Sequence, residues 1–454
     1  MSYPSGVSSP RPVPSSGRSL SDRVRTARGA SGTGASVFAV LLLFTLFAGD
    51  FWRNLISWPG YFVLAALLAA GSIVFLVRQR PAFRWRKTPK TLVLFLALAV
   101  VSLAWSAYPG ATALGLVAQF ATTAAAVFLA LCLTWRALLT ALANAFRWIL
   151  GLSLLFELVV AVFVRHPVLP LTSIQPVPSH IPAAFYWSRD LLFRGGQIQG
   201  IVGNSNLLAM IALLSLVVFG IQLADRTIRR GTAITWLVIS VLTFALTRSS
   251  TVFVAAVFTA VVLGFALWTR RVGPERRRPV YLTAAALVVV VVVAVALFAS
   301  RIPALLGKSE DLTGRLTIWN SVIHLAQERP AFGWGWVSYW APWVEPFKNL
   351  AERGGVVYLQ AHNAWLDIWL QLGIVGVVIF ALLIVSTLWR AWFQAVDRPR
   401  FAPGDDLPYT ALTLLPLLLL AALLAQSLAE SRILIEAGWT LLVVIAVKTK
   451  QSAP

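Results

Sequence analysis

Long apolar runs separated by short polar segments dominate this chain of 454 residues. Most of the runs are about as long as a helix that crosses a hydrocarbon core of ~30 Å. The pattern therefore predicts an all-α, polytopic transmembrane helical bundle of about twelve spans. The predicted spans are residues 36–51, 59–77, 91–106, 112–133, 148–164, 200–223, 232–247, 249–268, 279–299, 362–389, 409–427 and 433–447.

The two ends of the chain differ from its apolar middle. Residues 1–35 are rich in Ser, Pro, Gly and Arg, a composition typical of a disordered tail. Residues 36–447 are the predicted transmembrane domain, and residues 448–454 a second short tail. We expect no cleavable signal peptide, because the first apolar run is too long and begins too late. The single cysteine, Cys132, falls inside a predicted span, which excludes an intramolecular disulfide.

The composition excludes a water-soluble globular protein. Hydrophobic residues make up 58% of the chain and charged residues 12%, whereas soluble domains carry roughly 25% charged residues. The net charge of +21 suggests a nucleic-acid partner at first sight, but the basic residues cluster in alternate connections, at 78–90, 225–230 and 269–279. Positive residues in short loops mark the cytoplasmic side. Both termini are therefore expected in the cytoplasm, and no nucleic acid is needed to explain the charge.

Two long connections, at about 165–199 and 300–361, lie on the predicted exoplasmic side. Loops commonly carry function, so this is the expected working face. Within the second loop, residues 314–330 have apolar positions at helical spacing, which predicts an amphipathic helix on the membrane surface or over the bundle. The aromatic residues of 331–343 form either an interfacial belt or a stacking wall for sugar rings or a lipid stem. They are Trp334, Trp336, Tyr339, Trp340 and Trp343.

Three arginines lie near the predicted exoplasmic boundary, where the distribution of charge disfavours them. They are Arg194, Arg248 and Arg315. Each side chain could simply extend to the interface. Alternatively, the three converge on an anion, because the planar guanidinium fork matches phosphate. Their presence on one face together with a histidine favours an anion site.

His362 is the histidine on that face, at the start of a predicted span. It is either an interfacial histidine bonded to a neighbour or a group that transfers a proton near neutral pH. His324 is expected to be solvated on the amphipathic helix. His166 and His180 have no metal-ligand spacing and no neighbouring cysteine or carboxylate cluster, so we predict no metal site.

Two carboxylates have alternative interpretations. Glu157 lies within the fifth predicted span, where a carboxylate is functional by default unless it pairs with a buried arginine. Glu430 lies in the turn before the last span. It forms either an ordinary surface pair with Arg432 or part of a substrate site.

Four segments resemble the O-antigen ligase and O-antigen polymerase superfamily, and the resemblance that they carry covers the bulk of the transmembrane domain. GIVGNSNLLAM (200–210) resembles the family's Gly-x-x-Gly-Asn-Pro-Asn-x-x-Ala segment, with Ser205 where proline is usual. LTRSSTVFVAA (246–256) resembles its Ser-Arg segment. TGRLTIWNSVIHLAQERPAFGWGW (313–336) resembles its Gly-Arg-x-x-x-Trp helix followed by Pro-x-x-Gly-x-Gly. The fourth segment, His362-Asn363 followed by Gly373-Ile-Val-Gly376, fits its His-Asn-x9-Gly-x-x-Gly pattern.

The resemblance implies a GT-C-like glycosyltransferase that needs no metal or other cofactor and inverts the anomeric centre. Such enzymes take a glycan from a polyprenyl diphosphate on the outer face of the cytoplasmic membrane. They transfer it to a hydroxyl of a lipid, glycan or cell-wall acceptor. Arg248 and Arg315 match family arginines, and Arg194 matches one more loosely.

His362, Arg315 and Arg248 are accordingly the predicted catalytic residues. Without a metal, arginines must stabilise the negative charge that develops on the diphosphate leaving group. His362 either accepts the proton of the acceptor hydroxyl or contacts the diphosphate. The residues predicted to bind the diphosphate or glycan are Arg194, Asn204, Asn206, Asn363, Trp319, Trp336 and Glu430.

Several functions share parts of this pattern. A ligase and a polymerase of lipid-linked repeats differ only in the acceptor, and the His-Asn pattern favours the ligase. A peptidoglycan polymerase has the same architecture and lipid donor, but we do not find its motifs. A transporter or flippase of lipid-linked glycans is expected to show paired repeats and polar residues on both faces. A structural scaffold would not need three arginines and a histidine on one face.

Overall fold

The computed structural model describes residues 33–172, 181–298, 309–348, 350–353, 356–398 and 408–451. Within these ranges the regular structure is helical apart from one antiparallel hairpin of β1 (Glu352–Arg353) and β2 (Val356–Val357). Most of the predicted tail 1–35 lies outside the described residues, as does His180. The helices of the described chain are α1 (Thr33–Phe47), α2 (Gly49–Gln79), α3 (Lys90–Val101), α4 (Pro109–Cys132), α5 (Trp135–Val159), α6 (Ser205–Ala224), α7 (Arg230–Thr247), α8 (Ser250–Val272), α9 (Arg278–Phe298), α10 (Ser309–Glu328), α11 (Ala364–Val396), α12 (Leu415–Ser427) and α13 (Glu436–Gln451).

Every predicted span overlaps one of these helices. Among the described residues, eight helices are long and apolar enough to cross a membrane, namely α2, α4, α5 with its continuation to Val164, α6, α7, α8, α9 and α11. Three shorter apolar helices are α1, α3 with the turn that follows it, and α12 with the turn that precedes it. The last predicted span is the 16-residue α13. The all-α, multi-pass membrane architecture is therefore confirmed, with four of the predicted spans shorter than a full crossing.

The helices differ in how much of their surface is covered by protein. In α6 and α13 the apolar residues surround the helix, and most of them are buried, which is typical of the interior of a bundle. In α9 the single buried residue among those described is Val280. Its run of valines is exposed, as expected for a helix surrounded by lipid.

Helix α11 is interrupted at Gly373, where φ is 66°. The loop that follows α10 crosses the helix at this point, and Ile374 N donates a hydrogen bond to Pro330 O at 2.8 Å. A Cβ atom on Gly373 would lie 2.2 Å from the backbone of Ala331. Both the positive φ and this close approach require glycine. The crossing holds the loop against the helix that starts beside His362, and thereby supports the region of the predicted site.

Replacement of Gly373 by alanine is expected to lower the free energy of unfolding by at least about 3 kcal/mol, because it adds a steric clash to backbone strain. Gly264→Ala is the matched control, since Gly264 lies inside α8 with no atom within 4 Å of the added Cβ. We expect the control to change stability by no more than about 1 kcal/mol. Urea unfolding of both variants in detergent measures the difference. Equal stability of the two variants would contradict the crossing.

Helix α10 is the predicted amphipathic helix, and it caps the bundle. We use the term loop face for the end of the bundle where six connections meet: α1–α2, α3–α4, α5–α6, α7–α8, α9–α11 and α12–α13. There α10 buries Ile318, Val322 and Ala326, which pack with Trp340 and Leu370 in one cluster. The chain thus covers the start of α11 with a second layer, and polar groups beneath that layer are shielded from water.

Candidate active site

Glu430 is the centre of the candidate site. It lies in the connection between α12 and α13, and its backbone N donates to Gln426 O at 2.8 Å. Its side chain is only 7% exposed. One carboxylate oxygen accepts from Arg315 Nη2 at 3.0 Å, and the other bonds His362 Nδ1 at 2.8 Å and Gln360 Nε2 at 3.3 Å. The carboxylate therefore joins two of the three predicted catalytic residues.

Burial alone would raise the pKa of Glu430, but nearby positive groups outweigh it. The charge and hydrogen bond of His362 and the charges of Arg315 and Arg432 lower the pKa of Glu430 to about 2. Glu430 is consequently ionised at neutral pH and can only accept hydrogen bonds. The hydrogen bond to this carboxylate therefore requires a proton on His362 Nδ1, and Nε2 is the ring nitrogen that does not bond Glu430.

The backbone around His362 is fixed by its neighbours. His362 has a φ of 51° and immediately precedes Asn363, the N-cap of α11. The Asn363 side chain accepts hydrogen bonds from Trp365 N and Leu366 N at 3.0 and 3.3 Å, so it starts the helix as N-cap residues do. Trp319 Nε1 donates to Ala361 O at 3.0 Å. Asn363 and Trp319, both predicted to bind substrate, thus position His362 in this structure.

Arg315 projects from α10 toward the start of α8. Besides Glu430 it binds Thr251, whose Oγ1 accepts from Nη1 at 3.2 Å. Arg248 caps the end of α7 three residues before Thr251, with a φ of 49°, and its side chain is exposed. The two arginines therefore flank the same turn between α7 and α8. Its exposure makes Arg248 the more accessible of the two to an anionic ligand.

The predicted asparagines organise that turn. Asn204 is the N-cap of α6 and accepts from Asn206 N and Leu207 N at 2.9 and 3.1 Å. Asn206 Oδ1 in turn accepts from Ser249 Oγ at 2.8 Å. The start of α6 and the start of α8 are thereby joined directly beside Arg248.

Arg194 lies near Arg248, because a Cβ atom on the next residue, Gly195, would lie 3.7 Å from Arg248 Nη2, but its own side chain is bonded elsewhere. Its guanidinium forms an ion pair with Asp190 at 2.7 Å and donates to Arg165 O at 3.4 Å. The side chain is 61% exposed. No described contact joins it to Glu430, Arg315 or His362, so its predicted role in substrate binding stays a prediction.

Three sequence-based interpretations need correction. Trp336 is fully buried against Phe95, at a ring-centroid distance of 5.5 Å, so its ring is a core residue and not a surface for stacking sugars. Among the described residues Glu157 forms no ion pair with an arginine, and its carboxylate instead accepts from Gln199 N and Gly200 N at 2.9 and 2.8 Å and from Ser188 Oγ. Glu157 therefore anchors the loop that precedes α6.

The third correction concerns Glu430 and Arg432, which are not an ordinary surface pair. Glu430 is buried in the site described above. Arg432 instead binds Glu436 at 3.1 Å and the hydroxyl of Tyr339 at 2.7 Å. Glu436 also accepts from Arg53 at 2.6 Å. This second ionic cluster attaches the connection that contains Glu430 to the start of α2.

Three residues in or beside the site were not among those predicted from the sequence. Gln360 and Thr251 bind Glu430 and Arg315, and neither has a distinctive sequence signal. Asp367, only 1% exposed, contacts the segments on both sides of the site. An acidic residue within a predicted span is a recognisable signal, and Asp367 follows His362 by only five positions.

No group of three or more His, Cys, Asp or Glu side chains suited to a metal occurs in the part of the chain that the structure describes. His324 and His166 are exposed there. The proposed independence of a metal remains a prediction. The site itself offers one carboxylate, two guanidinium groups and one imidazole, which suits binding of an anion next to a proton acceptor.

Residues 235–381 match the family model described as O-antigen ligase. The matched region contains Arg248, Arg315 and His362, whereas Glu430 lies beyond it. No curated protein matches the chain. The match confirms, over residues 235–381, the resemblance to the O-antigen ligase and polymerase superfamily that the motifs indicate, and the apolar helices identify a multi-pass membrane protein.

Proposed function

We propose that this protein transfers a glycan from a polyprenyl-diphosphate carrier to an acceptor hydroxyl at the loop face. The observation that carries the proposal is the buried Glu430 carboxylate, which binds His362 and Arg315 at the same time. This arrangement combines a proton acceptor with a fixed positive charge. Glycosyl transfer from a diphosphate needs both groups within one site.

In the proposed reaction the acceptor oxygen attacks the anomeric carbon from the face opposite the diphosphate. A new carbon–oxygen bond forms while the bond from that carbon to the diphosphate oxygen breaks, so the configuration inverts. The electron pair leaves with the diphosphate, and Arg315 and Arg248 stabilise its developing charge. The acceptor proton passes to Nε2 of His362, whose orientation Glu430 maintains. No metal or cofactor takes part.

Among transfer reactions we favour that of a ligase, which passes the glycan to a lipid or cell-wall anchor. The support is the pattern of His362-Asn363 followed after nine residues by Gly373 and Gly376. A polymerase, which adds the glycan to a second lipid-linked repeat, is the alternative.

We further propose that the protein lies in the cytoplasmic membrane with the loop face outside and both termini inside. The connections at the opposite end carry the basic residues that mark the cytoplasmic side. Examples are Arg78, Arg86, Arg230, Arg271 and Arg276. The carrier lipid would then reach the site from the outer leaflet.

The test is transfer by the purified protein from a polyprenyl-diphosphate glycan in the presence of EDTA. Lipid and cell-wall acceptors are compared with a second lipid-linked repeat, and His362→Ala serves as the site control. We expect wild-type transfer to survive EDTA and to give one glycan per acceptor lipid.

Other outcomes are also decisive. A ladder of lipid-linked oligomers would identify a polymerase. Activity abolished by EDTA and restored by a divalent cation would contradict the metal-independent mechanism. If no acceptor is modified and lipid-linked glycan instead crosses the bilayer of proteoliposomes, the protein is a transporter.

A further inference from the structure

A second buried carboxyl group, that of Asp367, lies next to the site without touching it. It occupies the first turn of α11 and is 1% exposed. One oxygen accepts from Trp340 Nε1 at 2.8 Å and from Gln371 Nε2 at 3.5 Å. The other accepts from Ala361 N at 3.1 Å and from Ser431 Oγ. All four partners donate hydrogen bonds, so four contacts fix the position of the Asp367 carboxylate.

Two of these partners are neighbours of the site residues in sequence. Ala361 immediately precedes His362, and Ser431 immediately follows Glu430. One oxygen of Asp367 thus binds the segment on either side of the bond between His362 Nδ1 and Glu430 Oε2. Glu430 and His362 are 68 positions apart in the chain and belong to different connections, so their separation depends on contacts of this kind.

The remaining two partners, Trp340 and Gln371, connect Asp367 to the layer that covers the start of α11. Trp340 stacks on Phe347 with 5.7 Å between ring centroids. Gln371, one turn along α11, accepts from Val337 N at 2.9 Å and Ser338 N at 3.1 Å. The segment 337–340 is therefore fixed to the same turn of α11 as the two site segments. Burial of such a polar junction is costly unless every group is paired.

We propose that Asp367 is a positioning residue that sets the distance and angle between His362 and Glu430. This inference rests on the proposed function, in which that pair moves the acceptor proton. Asp367 does not itself meet substrate. One of its oxygens binds both Ala361 and Ser431. These two contacts align His362, the proton acceptor, with Glu430. General-base catalysis is sensitive to such alignment, because proton transfer requires hydrogen-bond geometry at the reacting atoms.

Ser431→Ala is the sharpest test, since it removes one tether and leaves Asp367 with three donors. We expect kcat to fall by about tenfold with KM for the glycan donor unchanged, because the acceptor proton is transferred less well while the donor binds as before. Ser215→Ala is the matched control. Ser215 is also buried, but its hydroxyl binds Ile211 O of its own helix, and we expect wild-type turnover.

A double-mutant cycle with Glu430→Gln separates positioning from a general effect on folding. If Ser431 acts by placing Glu430, then Ser431→Ala in the Glu430→Gln background should change kcat by less than about twofold. Asp367→Asn tests the carboxylate itself, because an amide in its place cannot accept hydrogen bonds from all four donors. We expect it to lower kcat by about 100-fold. Unfolding temperatures are measured for every variant, and if Asp367→Asn does not fold, the Ser431 cycle decides.

The outcomes distinguish the two levels of the proposal. If Glu430→Gln and His362→Ala keep wild-type turnover, the proposed function is wrong and this inference fails with it. If both variants are impaired but Ser431→Ala has no effect on kcat, or the same effect in both backgrounds, the mechanism stands and the positioning role is overturned. Loss of the Ser431 effect in the Glu430→Gln background supports the role of Asp367.

Discussion

Replacement of His362 by alanine is expected to lower kcat for glycan transfer by about 10³-fold, the middle of the range for loss of a general base. The structure gives the physical reason. Glu430 is ionised and holds Nδ1 at 2.8 Å, so Nε2 is the nitrogen available to the acceptor hydroxyl. His362→Gln should be impaired to a similar extent, because an amide can donate and accept hydrogen bonds but cannot take up the proton.

His324→Ala is the matched control for this experiment. His324 lies on α10, on an exposed position of the covering layer, and no contact described here joins it to Glu430. Its removal should leave kcat within about twofold of wild type, as surface substitutions away from a site usually have small effects. Steady-state transfer of a labelled glycan measures all three variants.

The choice of acceptor then separates the two roles considered for His362. If it is the base, an acceptor analogue with a more acidic group, such as a thiol, should recover much of the rate in His362→Ala, because less proton transfer is needed. If it contacts the diphosphate, the loss should be the same for every acceptor. Near-normal turnover of His362→Gln with the natural hydroxyl would exclude the base role.

The fold could be predicted well from the sequence, because membrane helices are determined by local properties. A run of apolar residues satisfies its own backbone hydrogen bonds and partitions into lipid wherever its neighbours lie. The bounds of α7, α8 and α9 accordingly agree closely with the predicted spans 232–247, 249–268 and 279–299. The short helices α1 and α13 agree in position too, but their length reflects packing within the protein and not the membrane thickness.

The site could be predicted only in part, because its decisive contacts are long-range. Arg315 and Glu430 are 115 positions apart and His362 and Glu430 are 68 apart, and no periodicity links residues at such separations. The sequence identified the charged groups on the correct face. It could not show that Glu430 binds two residues of other connections in place of Arg432, two positions along the chain.

Residue type alone also could not separate structural roles from binding roles. Asn204 and Asn363 were predicted to bind substrate, and in the structure each is the N-cap of a helix. Trp336 lies in an aromatic segment whose members differ in solvent exposure: Trp343 is 72% exposed and Trp336 is fully buried. Which tryptophan faces outward depends on how the loop crosses α11 at Gly373.

Replacement of Arg315 by alanine is expected to lower kcat by about 10³-fold, because one preorganised donor to a developing anion contributes about 10² to 10³ and Glu430 would lose a partner as well. Arg315 binds Glu430 and Thr251 at 3.0 and 3.2 Å, and three further donor positions of the guanidinium remain for a phosphate. Arg329→Ala is the matched control. Arg329 lies just after the same helix and stacks on Trp334 at 4.2 Å, so its loss should change kcat by less than about threefold.

Two further variants distinguish stabilisation of the leaving group from simple neutralisation of Glu430. Arg315→Lys retains the charge beside Glu430 but loses the planar fork, and we expect it to remain impaired by at least about tenfold. The double variant Arg315→Ala with Glu430→Gln removes the buried charge that Arg315 balances. If Arg315 only neutralised Glu430, the double variant would be as active as Glu430→Gln alone. We expect it to be slower, and the defect to shrink with a donor whose leaving group is a weaker base, because such a leaving group needs less stabilisation.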